Sequence, residues 1–185
     1  MPDMWSVVDE SDRPQWDYAP LKRVGPLHFG VSAQEAIATM ADSGYSVGSV
    51  AEVGRVGPFG QQRVYFRAVS APNYRVDVSA YFVGPMGLTC VAVDALSGPQ
   101  VRVDGIRLIG RPPSELSAEL ADHLDKTGND IEITTDGDVG SQELGIYPRA
   151  QRAGDAVLTR LVFGRRNDWT NTMYDCIPAE EWRVH

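Results

Sequence analysis

A local pattern occurs twice in this chain, and it limits the architecture more than any other feature. "VGPLHFGVSAQE" at 24–35 sets Leu27 and Phe29 on either side of His28, passes through Gly30 and changes period at Ser32. A two-residue alternation makes a strand, with Leu27 and Phe29 on one face and His28 on the other. Ser32 is then a helix N-cap, and Glu35 completes an S-x-x-E capping box. Ala33, Ala36, Ile37, Met40 and Ala41 follow at helical spacing, and Ser43-Gly44 marks the stop. In "VDGIRLIGRPPSELSAELADHL" at 103–124 the same order returns. Ile106-Arg107-Leu108 alternates, Gly110 stands for Gly30, Pro113 opens a helix and Leu116, Leu120 and Leu124 form its apolar stripe. At an offset of eighty, Gly25, Gly30, Glu35, Ala38, Ala41 and Asp42 meet identical residues, while the strand positions need a one-residue shift.

The segments after each helix extend the parallel. "QQRVYFRAV", "YRVDVSAYFV" and "LTCVAVDAL" are β-branched and aromatic runs separated by turn residues, and they read as a meander. Val64, Phe66, Ala68, Val76, Val78, Ala80 and Phe82 face the helix; Tyr65, Arg67, Arg75, Asp77 and Tyr81 take the other side. After the second helix come "DIEITTDG", "ELGIYPR" and "AVLTRLVFG". The expected fold is therefore α+β: two strand-helix-meander repeats with helices on one face of an antiparallel sheet. One compact unit of 185 residues divides into an N-terminal segment 1–20, repeats 21–98 and 99–166, and a tail 167–185. All four tryptophans lie near the termini, where they are expected to fold back over a sheet edge or helix, or to anchor a partner.

"FGVSAQEA" resembles the F-G-[MV]-[ST]-x-x-[EQ]-[AV] opening of the repeat in β-lactamase inhibitor protein and in small outer-membrane assembly lipoproteins. The resemblance covers about eight residues, and "IGRPPSEL" in the second copy lacks the Met or Val and the hydroxyl residue. It implies tandem helix-plus-sheet repeats forming a concave surface that grips another protein.

Charge bears on the partner. The formal charge is -8, and 94–147 holds eleven carboxylates against four cations, whereas 148–166 holds five arginines against Asp155 alone. A negative field repels phosphate backbones and attracts cationic partners, so a basic protein is expected and nucleic acid is not. No apolar run is long enough for a membrane span, and no leader is visible, so a cytoplasmic location is expected. Cys90 and Cys176 have no partners at metal-ligand spacing; they read as reduced thiols, with one long-range disulfide left open.

Catalytic patterns are sparse: none of the H-E-x-x-H, C-x-x-C, G-x-S-x-G or Walker type occurs. Cys90 with His28 as base is the pairing that sequence distance permits, but "LTCVAV" makes Cys90 a small core hydrophobe. "DIEITTDGDVGSQE" lacks the order of a calcium loop and reads as a solvated turn. No cofactor or metal is expected. The leading expectation is a protein-binding inhibitor, in its most concrete form the immunity protein of a toxin pair. Its partner-binding residues are Asp130, Glu132, Asp136, Asp138 and Glu143, with Tyr147 and Trp169 supplying buried area. Two alternatives stand beside it: a small-ligand receptor or enzyme using Tyr65, Arg67, Arg75 and Tyr81, and a structural or assembly subunit.

Overall fold

The computed structural model describes residues 3–72, 74–166, 170–172 and 174–185. After a first strand β1 (Gln15–Ala19), strands β2 (Arg23–Val24) and β3 (Leu27–His28) form a hairpin in which Arg23 faces His28 and Val24 faces Leu27. Gly25 closes it at φ +53°, where a Cβ would come within 2.4 Å of the Trp16 ring, so the position excludes side chains. Helix α1 (Ala33–Asp42) follows with the expected box: the Glu35 N–H donates to Ser32 Oγ at 3.2 Å, and the Ser32 N–H donates to the Glu35 carboxylate at 2.8 Å. Gly44, at φ +87°, ends it. Ser32→Ala is expected to lower the unfolding free energy by about 1 kcal/mol in urea titration, because the first helical turn loses its side-chain acceptor.

Strands β4 (Tyr45–Val56), β5 (Phe59–Ala68), β6 (Val78–Val83) and β7 (Gly87–Val93) make a meander. The expected three-strand meander omits β4, a twelve-residue edge strand with register shifts at Val47/Ser49 and Glu52/Gly54. A second hairpin, β8 (Gln100–Val103) and β9 (Ile106–Arg107), sets Arg102 opposite Arg107 and Val103 opposite Ile106. Asp104 and Gly105, both at positive φ, form its turn. Helix α2 (Pro113–Thr127) buries Leu116, Leu120 and Leu124 completely, each contributing roughly 1.5–3 kcal/mol of apolar burial. A ribbon of β10 (Glu132–Ile133) and β11 (Val139–Gly140) leads to β12 (Ile146–Ala153) and β13 (Ala156–Gly164).

Among the described residues, two α-helices and thirteen strands give a mixed fold that is mostly sheet, and β1 with β8 is the one parallel pairing. The larger sheet runs β12-β13-β7-β6-β5-β4 and the smaller β3-β2-β1-β8-β9. The N-terminal segment thus supplies the strand that joins the two hairpins. Both helices and the small sheet bury their apolar sides against one face of the large sheet, in a single core that includes Trp16, Tyr18, Met40, Val64, Phe66, Leu120 and Phe163. Tyr18 packs on Phe163 with ring centroids 4.6 Å apart. The turn before each helix is bonded to the large sheet: Gly30 and Val31 exchange hydrogen bonds with Leu88, and Gly110 and Arg111 exchange them with Thr159, all at 2.8–2.9 Å. No helix of the described residues is long and apolar enough to cross a membrane.

Candidate functional site: the tail-covered sheet face

The two-residue period of the strands puts Arg63 and Tyr65 of β5, Tyr81 of β6, Cys90 and Ala92 of β7, Arg160 and Val162 of β13, and Tyr147 and Arg149 of β12 on the face away from the helices. Its centre is apolar and its border carries arginine and tyrosine. Two single-turn 3-10 helices of the C-terminal segment, Tyr174–Cys176 and Ala179–Trp182, lie over it. Cys176, Ile177, Tyr174 and Trp182 pack against Tyr81, Cys90, Ala92, Tyr147 and Val162 in a second apolar cluster. Of the terminal tryptophans, Trp182 therefore folds back over the sheet, Trp16 enters the main core, and Trp5 lies half-exposed beneath Arg152.

Buried charge fixes the segment in place. Arg160 donates from Nε and Nη2 to the two carboxylate oxygens of Glu181, each at 3.0 Å, and both side chains are shielded from solvent. The Tyr81 hydroxyl donates to Glu181 at 2.6 Å. Asp94 approaches Arg160 at 3.6 Å and accepts from Gln151 at 2.7 Å. Arg63 reaches both oxygens of Glu180 at 2.5 and 2.6 Å, and its guanidinium stacks over Tyr65 at 3.8 Å. Burial works against the Arg160 charge, but Glu181 and Asp94 outweigh it and hold the group protonated above its ordinary range. Burial, followed by Glu181, pushes the Tyr81 hydroxyl well above its usual value. His185 is shifted down by burial and by Arg160, with Glu181 offsetting only part.

The fit is incomplete. Arg63 Nε, Arg149 Nη1 and His185 Nε2 are buried without a hydrogen-bond partner. A cavity of about 290 Å³ remains between segment and sheet, lined by Tyr65, Asp94, Arg160, Glu180, Glu181 and His185 among others. Such a site can hold carboxylates and aromatic rings; among the described residues no nucleophile is aligned with a base there. Cys90 lies in the apolar cluster, where burial raises its thiol pKa, whereas His28 is exposed on the small sheet across the core.

The acidic loop is built differently from a free surface. Asp130 accepts from the Ser141 hydroxyl at 2.6 Å and from the N–H groups of Gln142 and Glu143 at 3.1 and 3.0 Å. Glu143 accepts from the Asp130 N–H at 2.8 Å. Glu132 receives Gln142 and the Tyr147 hydroxyl. Asp136 accepts from the Ala150 N–H at 3.2 Å and pairs with Arg149 at 3.0 Å. Asp138 is buried beside Ser117, its pKa raised by burial and by Asp136. Tyr147 is 1 % exposed and stacks beneath Tyr174. Glu132, Asp136 and Tyr147 thus meet along β12, each in contact with the chain's own groups, and Trp169 lies outside the described residues. In the polar sheet face singled out from sequence, Tyr81 is buried under the segment, and Arg75 donates to the Ser6 carbonyl and hydroxyl. Sequence reasoning missed Arg149, Arg160, Glu180 and Glu181; the cationic run at 148–166 and the Glu-Glu-Trp of the tail were the available signals.

No family profile, curated protein or solved structure matches the chain.

Proposed function

We propose that the protein acts by binding another polypeptide, most concretely as an immunity-type inhibitor of a basic protein. The observation that carries this reading is where the charge lies. Among the described residues, the buried charged side chains are three arginines (Arg13, Arg149, Arg160) and three acids (Asp77, Asp138, Glu181). They cancel formally, so the net charge of -8 is carried by residues other than these. A field of that sign steers a cationic partner into encounter and disfavours like-charged competitors.

A duplicated scaffold is the architecture we infer for this binder. The two hairpins share a register, with Val24-Leu27 matching Val103-Ile106, and each leads to a helix whose preceding turn bonds a strand of the large sheet. Taking Leu88 as the counterpart of Thr159, the β7–β13 ladder maps onto itself: the Leu161–Val93 pair becomes Cys90–Gly164 at its other end. An antiparallel pair of equivalent strands side by side in one sheet is what a local two-fold axis requires; it relates β12 to β6 and leaves β5 and β4 as additions on one side. This supports the tandem-repeat reading and gives a broad platform on which to display charge.

The experiment is co-expression with basic proteins encoded by neighbouring genes, followed by measured association kinetics. Glu115 and Asp125 are exposed on α2, clear of the buried pairs. Reversing both to lysine is expected to slow association by about tenfold, as is a rise from low to high salt. An association rate indifferent to both changes overturns the reading.

A further inference from the structure

We propose that the arginine-tyrosine face of the large sheet is a second docking surface, for a segment of another polypeptide carrying two adjacent carboxylates beside an aromatic residue. Residues 174–185 occupy it in cis as a stand-in for that segment. This surface is separate from the acidic exterior, and its chemistry has the opposite sign.

Four observations converge on it. The face presents Arg63, Arg149 and Arg160 with Tyr65, Tyr81 and Tyr147, the residue types that dominate binding hot spots, in a molecule of net charge -8. The segment over it is held by side chains and not by a strand ladder. Among the described residues, one backbone hydrogen bond ties 174–185 to the sheet, from the Arg152 N–H to the His185 carbonyl at 2.7 Å. Its carboxylates supply what buried guanidinium groups need: Glu181 forks onto Arg160 and Glu180 onto Arg63, while Trp182 lies against Arg149 at 5.2 Å. The match leaves Arg149, whose side chain is 7 % exposed, with an unpartnered Nη1, and Arg63 with an unpartnered Nε. A ligand that met those donors would satisfy the face better than the chain's own residues do.

The chemistry of the occupant follows. A carboxylate pair exchanges for Glu180 and Glu181 without leaving partly exposed Arg63 or buried Arg160 uncompensated, so displacement conserves the charge pairs. An aromatic ring replaces Trp182 over Arg149. A polynucleotide could meet the arginines as well, but with a charge on every nucleotide it is repelled by the negative field of the molecule far more than a segment carrying two carboxylates.

The test uses a dye-labelled synthetic peptide of residues 174–185, YDCIPAEEWRVH, under reducing conditions, against the full chain and its E180Q/E181Q variant. In cis the native segment competes at high effective concentration, so the wild-type chain is expected to bind the peptide weakly and the variant at least about tenfold more tightly. A peptide with both glutamates replaced by glutamine should bind neither. Failure of the peptide to bind a folded variant overturns the proposal. The wild-type chain decides independently should the variant not fold: saturating peptide is expected to accelerate hydrogen exchange in its own residues 174–185, and unchanged exchange overturns the proposal. Acceleration by oligothymidylate but not by the peptide overturns it in favour of nucleic acid.

Discussion

Arg160→Ala lowers the unfolding free energy by about 3–5 kcal/mol, the expected cost of stranding Glu181 in a dry interface. Glu181 is 2 % exposed and loses both guanidinium hydrogen bonds at once; among the described residues the Tyr81 hydroxyl at 2.6 Å and His185 at 3.7 Å remain near it. Asp94 loses its nearest cation as well. Urea titration followed by near-ultraviolet circular dichroism reads the loss, because Tyr81, Tyr147 and Trp182 all belong to this interface. The double substitution Arg160→Met with Glu181→Leu is expected to recover most of it, since replacing both members of a buried pair removes the desolvation cost along with the attraction. Lys126→Ala serves as the contrast. Its pair with Asp122 spans one exposed helical turn, with side chains 70 % and 65 % exposed, and its loss should leave the urea midpoint almost unchanged. An Arg160→Ala protein as stable as Lys126→Ala would mean that the segment is not held by its charges.

That buried pair also marks where sequence reasoning stops. Glu181 lies 21 residues beyond Arg160, and Glu180 lies 117 beyond Arg63, so nothing local announces either contact. The capping box of α1 was readable because both partners sit within one turn, and the stripe of α2 because its leucines repeat along one helix. Strand β1 escaped notice because five residues of alternating burial find their parallel partner in β8, Gln15 opposite Gln100. Its Trp16 and Tyr18 were visible as aromatics, but their burial depends on a core assembled from both hairpins. Strand β4 was missed for another reason. "YSVGSVAEVGRV" mixes glycine, serine and charge because an edge strand with two register shifts buries little of either face.

The acidic loop shows what composition leaves out: Asp136 and Glu143 are exposed as a solvated turn requires, whereas Asp138 is buried. A run such as "DIEITTDGDVGSQE" reads as solvated turn because carboxylates favour water. Here Asp130 takes up the Ser141 hydroxyl and the backbone N–H groups of Gln142 and Glu143, eleven to thirteen residues away, and Asp136 guards the outer edge of β12 while pairing with Arg149. The arginine run that follows was legible as a charge reversal, yet its meaning came from register. Arg149 and Arg160 are directly opposite in the β12–β13 ladder, so one faces Asp136 and the other Glu181 on the same side of the sheet.

Gly87→Ala should destabilise by about 3 kcal/mol, from two additive causes at one position. Gly87 opens β7 at φ +66° and ψ -142°, a region essentially reserved for glycine, where an L-residue carries roughly 1–3 kcal/mol of strain. A Cβ there would also lie 2.4 Å from the Gly30 carbonyl oxygen and 2.5 Å from that of Val31. Both contacts are with backbone that cannot swing aside, because Gly30 donates to Leu88 and Leu88 donates to Val31 in the link between hairpin turn and sheet. Overpacking of that kind adds roughly 1–3 kcal/mol. The damage should be directional: hydrogen exchange is expected to speed up at Gly30 and Leu88 and along α1, while the equivalent link of Gly110 with Thr159 stays protected. Gly44→Ala gives the strain without the clash, since that position has positive φ and nothing within 4 Å of a Cβ. It should lose only the strain share, about 1–2 kcal/mol. Equal losses at the two glycines would refute the view that the turn-to-strand link anchors α1 to the sheet.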